Sequence, residues 1–366
     1  MSPRNILLVI SLIMSVVIGC TLARGTRGEG GTAHDGSRRD GTRTIKIGLS
    51  MDTLKEARWQ GDRDRFKSRA EALGAEVLVQ AANGDDSTQI KDCESLIANH
   101  VDVLVIVPHD GRLMAKAVES AHAVGIPVIA YDRLITGCDV DLYVTFDNVE
   151  VGRQQARFLV DRLNGKGNII RVLGAPTDNN AKLFKQGQDE VLEPYLKSGA
   201  MTIVHEDWAE DWSPINAKKI VKAAITKGIS FQGLLASADG VAGGAIQALT
   251  EEKIEGTIVT GQDAELPACQ KIVDGTQTMT IYKPLHLLAN GAAEMAVKLA
   301  KNRPVVATAV INNGTVDVPS VLYQVLTVHK DNLCETVIAD GFQPFEEVYR
   351  SLPENQRPLK PTIIKH

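Results

Sequence analysis

Two consecutive α/β units, each a doubly wound parallel sheet, are predicted by three features of the sequence. From Thr44 onward, short β-branched runs alternate with amphipathic stretches, the βαβα order of a parallel sheet. The rhythm restarts after Phe146 and runs through a second unit of similar size. Inside the first unit, the apolar run Ile126-Pro127-Val128-Ile129-Ala130-Tyr131 ends abruptly at Asp132-Arg133. An uninterrupted apolar strand belongs to a sheet covered on both faces. In an open α/β sheet, the carboxyl end of such a strand borders the crevice where ligands bind.

The elements follow in order. Ile45–Ser50 is a short apolar strand, Trp59–Leu73 an amphipathic helix, Val77–Gln80 a second strand and Ser87–Asn99 a second helix. Val103–Val107 is an unbroken β-branched run, followed by the helix Leu113–Val124 and the strands Val128–Tyr131 and Tyr143–Phe146. The second unit reads as helix Val149–Leu163, strand Ile169–Leu173, helix Ala181–Leu196, strand Thr202–His205 and helix Pro214–Thr226. It continues with strand Gly233–Ala236, helix Gly240–Thr250, strand Thr257–Thr260, helix Leu266–Val273 and strand Thr278–Tyr282. A long helix, Leu285–Lys301, and strand-like pieces around Ala309–Ile311 and Val321–Val328 close the chain, and a Pro-rich charged tail is expected beyond Phe342.

At 366 residues there is room for two full cores, and a hydrophobic fraction of 44% with 23% charged residues is ordinary for a soluble globular chain. A net charge of −5 leaves no electrostatic footprint for nucleic acid. Arg4 followed by the apolar run Ile6–Ile18, too short to span a bilayer, reads as an export signal. Val17-Ile18-Gly19-Cys20 resembles a bacterial lipobox, which would place a lipid anchor on Cys20; the alternative is an ordinary cleaved signal peptide with a chance cysteine. Residues 21–43, rich in Gly, Thr and Arg, bury too little to fold and read as a flexible linker. Cys93, Cys138, Cys269 and Cys334 show no metal or redox spacing, so single thiols are the default.

The chemistry lies at the strand ends. Lys55-Glu56-Ala57-Arg58-Trp59 follows the first strand and Asp132-Arg133 the fourth. In the second unit Asp178-Asn179-Asn180, Asp207-Trp208, Asp211-Trp212, Gln262-Asp263 and Lys283 occupy the equivalent places. All three tryptophans, Trp59, Trp208 and Trp212, are expected in these loops. Each Trp alone is expected in a core, and each charged residue alone is a solvated group or a helix cap, as Asp178 would be for the helix at Ala181. Together they describe flat aromatic faces with a rim of donors and acceptors, which suits a sugar. There is no G-x-S-x-G, H-E-x-x-H or P-loop, no metal-ligand pattern among the histidines and no isolated carboxylate pair. His109 and His205 read as isolated loop or strand-end residues.

Between about Ile45 and Phe342 the chain resembles the periplasmic sugar-binding proteins of ABC importers, most of all the D-xylose-binding branch. The resemblance is carried by Arg58-Trp59-Gln60, Ala130-Tyr131-Asp132-Arg133, Asp178-Asn179-Asn180-Ala181-Lys182-Leu183-Phe184, Gly261-Gln262-Asp263-Ala264 and Tyr282-Lys283-Pro284. It implies the type I periplasmic binding protein fold, two lobes joined by three crossings near Asn148, near Lys283 and near Asn312 to Gly314. The lobes would be 44–147 plus 284–311 and 148–283 plus 312–342, with 343–366 as the tail. By position, Trp59 and Trp212 would sandwich the pyranose, while Arg58, Asp132, Arg133, Asn180, Asp263 and Lys283 would bind its hydroxyls and Trp208 would lie behind them. Where the family has Ser-Asn-Asp, this chain has Ser237-Ala238-Asp239, which removes one sugar hydrogen bond worth on the order of 1 kcal/mol. The resemblance implies no cofactor, no metal and no catalysis, but a monomeric exported receptor serving a permease and an ATPase. Other aldoses such as ribose, arabinose or glucose, and a co-receptor role beside a sensor kinase or chemoreceptor, remain as alternatives. A sugar-responsive repressor would need a DNA-binding helix-turn-helix where this chain carries an export signal.

Overall fold

The computed structural model describes residues 43–364. The first unit runs β1 (Ile45–Met51), α1 (Ala57–Ala72), β2 (Ala75–Ala81), α2 (Asp86–Ala98), β3 (Val103–Ile106), α3 (Ala115–His122), β4 (Val128–Tyr131) and β5 (Leu142–Phe146). The second runs α4 (Asn148–Arg162), β6 (Gly167–Leu173), α5 (Asn179–Lys197), β7 (Met201–Trp208), α6 (Pro214–Thr226), β8 (Gly233–Ala236), α7 (Asp239–Glu251), β9 (Ile258–Val259), α8 (Leu266–Asp274) and β10 (Met279–Tyr282). Then come α9 (Leu285–Ala300), β11 (Ala309–Asn312), β12 (Asp317–Tyr323), β13 (Leu326–His329) and α10 (Phe345–Val348).

The first sheet has the order β11-β12-β5-β4-β3-β1-β2, parallel except for the edge strand β11, and the second has the order β7-β6-β8-β9. The antiparallel pair β10–β13 extends the second sheet past β9 through Thr278 N to Val259 O (3.0 Å) and Ile281 N to Gly261 O (3.1 Å). Each sheet therefore reverses its winding beside its first strand, the switch point at which α/β sheets open a crevice.

Alternation along the strands explains the two-sided cover. Val103 and Val105 of β3 pack with Ile47, Leu49 and Ile129 under α1 and α9, whereas Leu104 and Ile106 face Val128, Ala130 and the helices α2 and α3. In the second sheet Ile170, Val172, Leu234 and Ala236 pack on α6 and α7, and Ile169 and Leu235 on α4 and α5. Helix starts follow local chemistry: Asp85, Asp147 and Asp178 accept from Thr88 N (2.6 Å), Glu150 N (3.0 Å) and Asn180 N (2.8 Å), and Ser213 precedes Pro214 at the first turn of α6. Cys93, Cys138 and Cys269 are buried free thiols and Cys334 is a half-buried one.

Three expectations are corrected. Val321–Val328 is not one strand: β12 lies parallel to β5 with Tyr323 opposite Phe146, while β13 pairs with β10 with Leu326 opposite Tyr282. The third crossing between the sheets consequently lies between Tyr323 and Leu326, and residues 312–323 belong to the first sheet; Asn313 and Gly314 are in the turn of the β11–β12 hairpin. The segment after Phe342 is also no loose tail, because Phe345, Val348 and Tyr349 are buried against Tyr282, Val328 and Ile338. The expected export signal, Cys20 and the linker before residue 43 lie outside the described residues.

Candidate ligand-binding cleft

The carboxyl ends of both sheets face one cavity of about 390 Å³, within the range of small-molecule sites. From the first unit, Asp52 follows β1, His109 follows β3, and Asp132 and Arg133 follow β4; Arg58 and Trp59 lie in the first turn of α1. From the second come Asp178 and Asn180 after β6, Trp212 after β7, Ala238 after β8, Gln262 and Asp263 after β9 and Lys283 after β10. Every residue proposed from sequence as a sugar contact lies on this one cavity: Arg58, Trp59, Asp132, Arg133, Asn180, Trp212, Asp263 and Lys283. Trp208 is not among the lining residues; it is the last residue of β7, opposite Leu173. The tryptophans are therefore not all in loops, since Trp59 is on a helix and Trp208 in a strand.

Asp132 sits at the centre of the first half with a left-handed φ of 61°, unusual for a residue with a Cβ. Its surroundings over-determine that conformation. Its carbonyl accepts from Thr145 Oγ1 (2.7 Å), Tyr143 OH (3.0 Å) and Asn180 Nδ2 (3.1 Å), and its N–H donates to Val144 O (2.8 Å). Its carboxylate takes Asn180 Nδ2 at 3.1 Å on one oxygen and the Arg58 guanidinium on the other. Burial pushes this carboxyl up, but Arg58, Lys283 and Arg133 hold it below its ordinary value, so it is a charged acceptor at neutral pH.

Arg133 is tied on both sides of the cleft. Its Nη1 donates to Asp52 (2.8 Å) and to Pro108 O (3.1 Å), and its Nε contacts Asp178 at 2.9 Å. Asp52 in turn contacts His109 Nδ1 at 3.0 Å, and Asp178 accepts from Trp212 Nε1 at 3.2 Å. Asp52, His109 and Asp178 thus form the frame that aims Arg133 and Trp212. Sequence reading placed Asp178 among the strand-end polar residues and as a cap of α5, with no direct ligand contact, and took His109 for an isolated loop residue. Asp178 does both jobs, capping α5 with one oxygen and holding Arg133 and Trp212 with the other. The signal for Asp52 was its place directly after β1, where an acidic residue beside a buried guanidinium is the partner to look for.

Lys283 is 1% exposed, its ammonium 3.6 Å from Asp263 and 5.3 Å and 5.7 Å from the ring centres of Phe184 and Phe146. Burial pulls its pKa below the ordinary lysine value against the pull of Asp263. Arg58 lies 4.3 Å and Arg133 5.2 Å from the ring centre of Trp59, so the indole is fixed beside both guanidinium groups. Trp212 packs edge-on against Phe184 at 6.2 Å. Ala238, 9% exposed, offers the cavity a methyl group.

Residues 47–304 match the model of the periplasmic binding protein domain family. The chain is 47% identical over 306 residues to the D-xylose-binding periplasmic protein of Escherichia coli, covering 83% of this chain and 92% of the relative. It is 46% identical over 310 residues to the protein of the same description from Haemophilus influenzae, covering 84% and 93%. Among solved structures, an ABC transporter solute-binding protein from Clostridium phytofermentans with bound β-D-glucose is 32% identical, with a TM-score of 0.77 over 83% of this chain and 99% of that one. A carbohydrate transporter solute-binding protein from Chloroflexus aurantiacus in complex with D-glucose is 34% identical, with a TM-score of 0.77 over 84% and 98%.

Proposed function

The chain belongs to the periplasmic binding protein family, and from that premise we propose that it is a non-catalytic receptor that captures one monosaccharide, D-xylose, in the cleft and delivers it to an ABC permease. The observation that carries this reading is the single cavity walled by Trp59 and Trp212 and rimmed by Arg58, Asp132, Arg133, Asn180, Asp263 and Lys283. An uncharged polyol needs donors and acceptors on every side, and these residues supply both. Arginine and lysine donate, the two carboxylates accept, and Asn180 does either. The contacts come from both sheets, so the ligand's full set of partners exists only with the halves together. Binding therefore favours the closed form by the difference in contacts, through a hinge made of the three crossings. The permease and its ATPase would read that closed form.

The relatives described as D-xylose-binding support the pentose. A hexose is the second reading, favoured by Ala238, whose methyl group leaves room beside the cavity wall, and by the glucose carried by the two solved relatives. Calorimetric titration with D-xylose, D-ribose, L-arabinose, D-glucose and D-galactose separates the two. D-xylose is expected to bind most tightly with one site per chain. Tighter binding of D-glucose selects the hexose reading, and no heat with any of the five contradicts sugar binding. Recovery of labelled D-xylose unchanged after incubation is expected of a receptor, and appearance of a product contradicts it. A lipid on Cys20, holding the chain at the outer face of the cytoplasmic membrane, is a separate proposal read from the lipobox-like Val17–Cys20; intact-mass analysis of the exported chain tests it by the added mass of the acyl chains.

A further inference from the structure

We infer that Asp62, which stands behind the cavity wall, is a positioning residue for ligand recognition: it pins Arg58 so that both terminal guanidinium nitrogens face the cleft. The inference rests on the reading of the cleft as a sugar site.

Asp62 is 1% exposed and does not line the cavity. It lies one helical turn after Arg58 on α1, where side chains four residues apart meet. Arg58 Nε donates to Asp62 Oδ2 at 3.4 Å, Nη1 points to Asp263 at 3.4 Å, and Nη2 donates to Asp132. A guanidinium is planar and rigid, so the direction of Nε sets the direction of the other two nitrogens. With Nε engaged behind the wall, the two remaining nitrogens are aimed at the two carboxylates that face the ligand.

Asp62 is itself clamped. The hydroxyl of Tyr131 donates to its other oxygen, and Tyr131, 2% exposed, is held edge-on by Phe66 at 6.3 Å. Tyr131 is the last residue of β4 and Asp132 follows it immediately. The end of one strand thus acts on Arg58 twice, directly through Asp132 and indirectly through Tyr131 and Asp62. The charged and titratable groups that face Asp62 are Arg58 from its own helix and Tyr131 and Asp132 from the strand. Burial pushes the Asp62 carboxyl up to about 6, against the opposing pull of Arg58 and of the Tyr131 hydroxyl. Above that value the carboxylate is charged and holds Nε; as pH falls through it, the hold is lost.

The test is the affinity for D-xylose between about pH 5 and 8 in the wild type, Asp62→Asn and Tyr131→Phe. The wild type is expected to bind progressively more weakly as pH falls through about 6. Asp62→Asn is expected to bind roughly tenfold more weakly at pH 7.5 and to lose the fall in affinity through pH 6. Tyr131→Phe removes a donor that favours the charged carboxylate, so its loss of affinity should begin at higher pH. A role confined to stability would lower the melting temperature of Asp62→Asn and leave the pH profile of binding unmoved. Affinity within twofold of wild type, with the same profile, overturns the inference. If Asp62→Asn does not fold by circular dichroism, the Tyr131→Phe profile decides, and an unshifted one overturns the inference. A wild type that binds none of the five monosaccharides overturns the sugar reading and this inference with it, whereas wild-type binding beside an unaffected variant overturns the inference alone.

Discussion

The two indoles that wall the cavity are supported in opposite ways. Trp59 lies on α1, a helix of 16 residues, is 5% exposed and belongs to the main core of the first unit. Trp212 lies in the three-residue turn Glu210–Trp212, half-buried, with left-handed φ of 54° at Asp211 and 55° at itself. It packs at the rim of two cores, and its position is set further by Nε1 on Asp178, an edge contact with Phe184, and Gly174, where an added Cβ would lie 2.0 Å from the ring. One wall is part of the scaffold. The other is a turn placed against it, so damage to the first should reach the fold and damage to the second should reach binding.

Four substitutions break or sharpen that contrast. Trp59→Ala has the largest expected effect, a loss of about 3–5 kcal/mol of stability by urea denaturation together with ligand binding. Trp212→Ala should abolish detectable sugar binding, a loss of roughly 100-fold or more, while stability falls by only about 1–2 kcal/mol. Equal stability losses in the two variants would remove the distinction. Gly174→Ala should displace the Trp212 ring and weaken binding by roughly tenfold or more, with tryptophan fluorescence reporting the changed environment. The smallest effect belongs to the frame behind Arg133. The hydrogen bond to Asp52 raises the His109 pKa above its ordinary value. A raised histidine adds stability that is fully present below its unfolded pKa of about 6.5 and lost as pH rises through the folded one. His109→Asn should therefore melt below wild type at about pH 5.5 and converge with it by about pH 8.5, a difference of less than about 1 kcal/mol.

Much of this architecture can be read from the residues because the core strands are written in one code. β3 and β4 are unbroken apolar runs buried on both faces, and their ends carry the charges that line the cleft. Where pattern reading fell short, the cause was long-range pairing. Val321 to Val328 is apolar enough to pass for one strand, yet its two parts add to different sheets through β5 and β10, partners far away in sequence. Phe345, Val348 and Tyr349 have helical spacing, but their burial depends on Tyr282 and Ile338. Asp52 escaped notice for the same reason, because its partner Arg133 follows a different strand far away in sequence. Asp62 lies one helical turn from Arg58, but that spacing alone does not tell an inward carboxylate from a solvated one.

The cleft itself is tested most directly by calorimetric titration of D-xylose into the wild type beside Asp132→Ala. One sugar per wild-type chain is expected, with no detectable binding to a variant that keeps its circular dichroism spectrum. Equal binding by both proteins, or none by the wild type, would contradict the reading of the cleft as a sugar site.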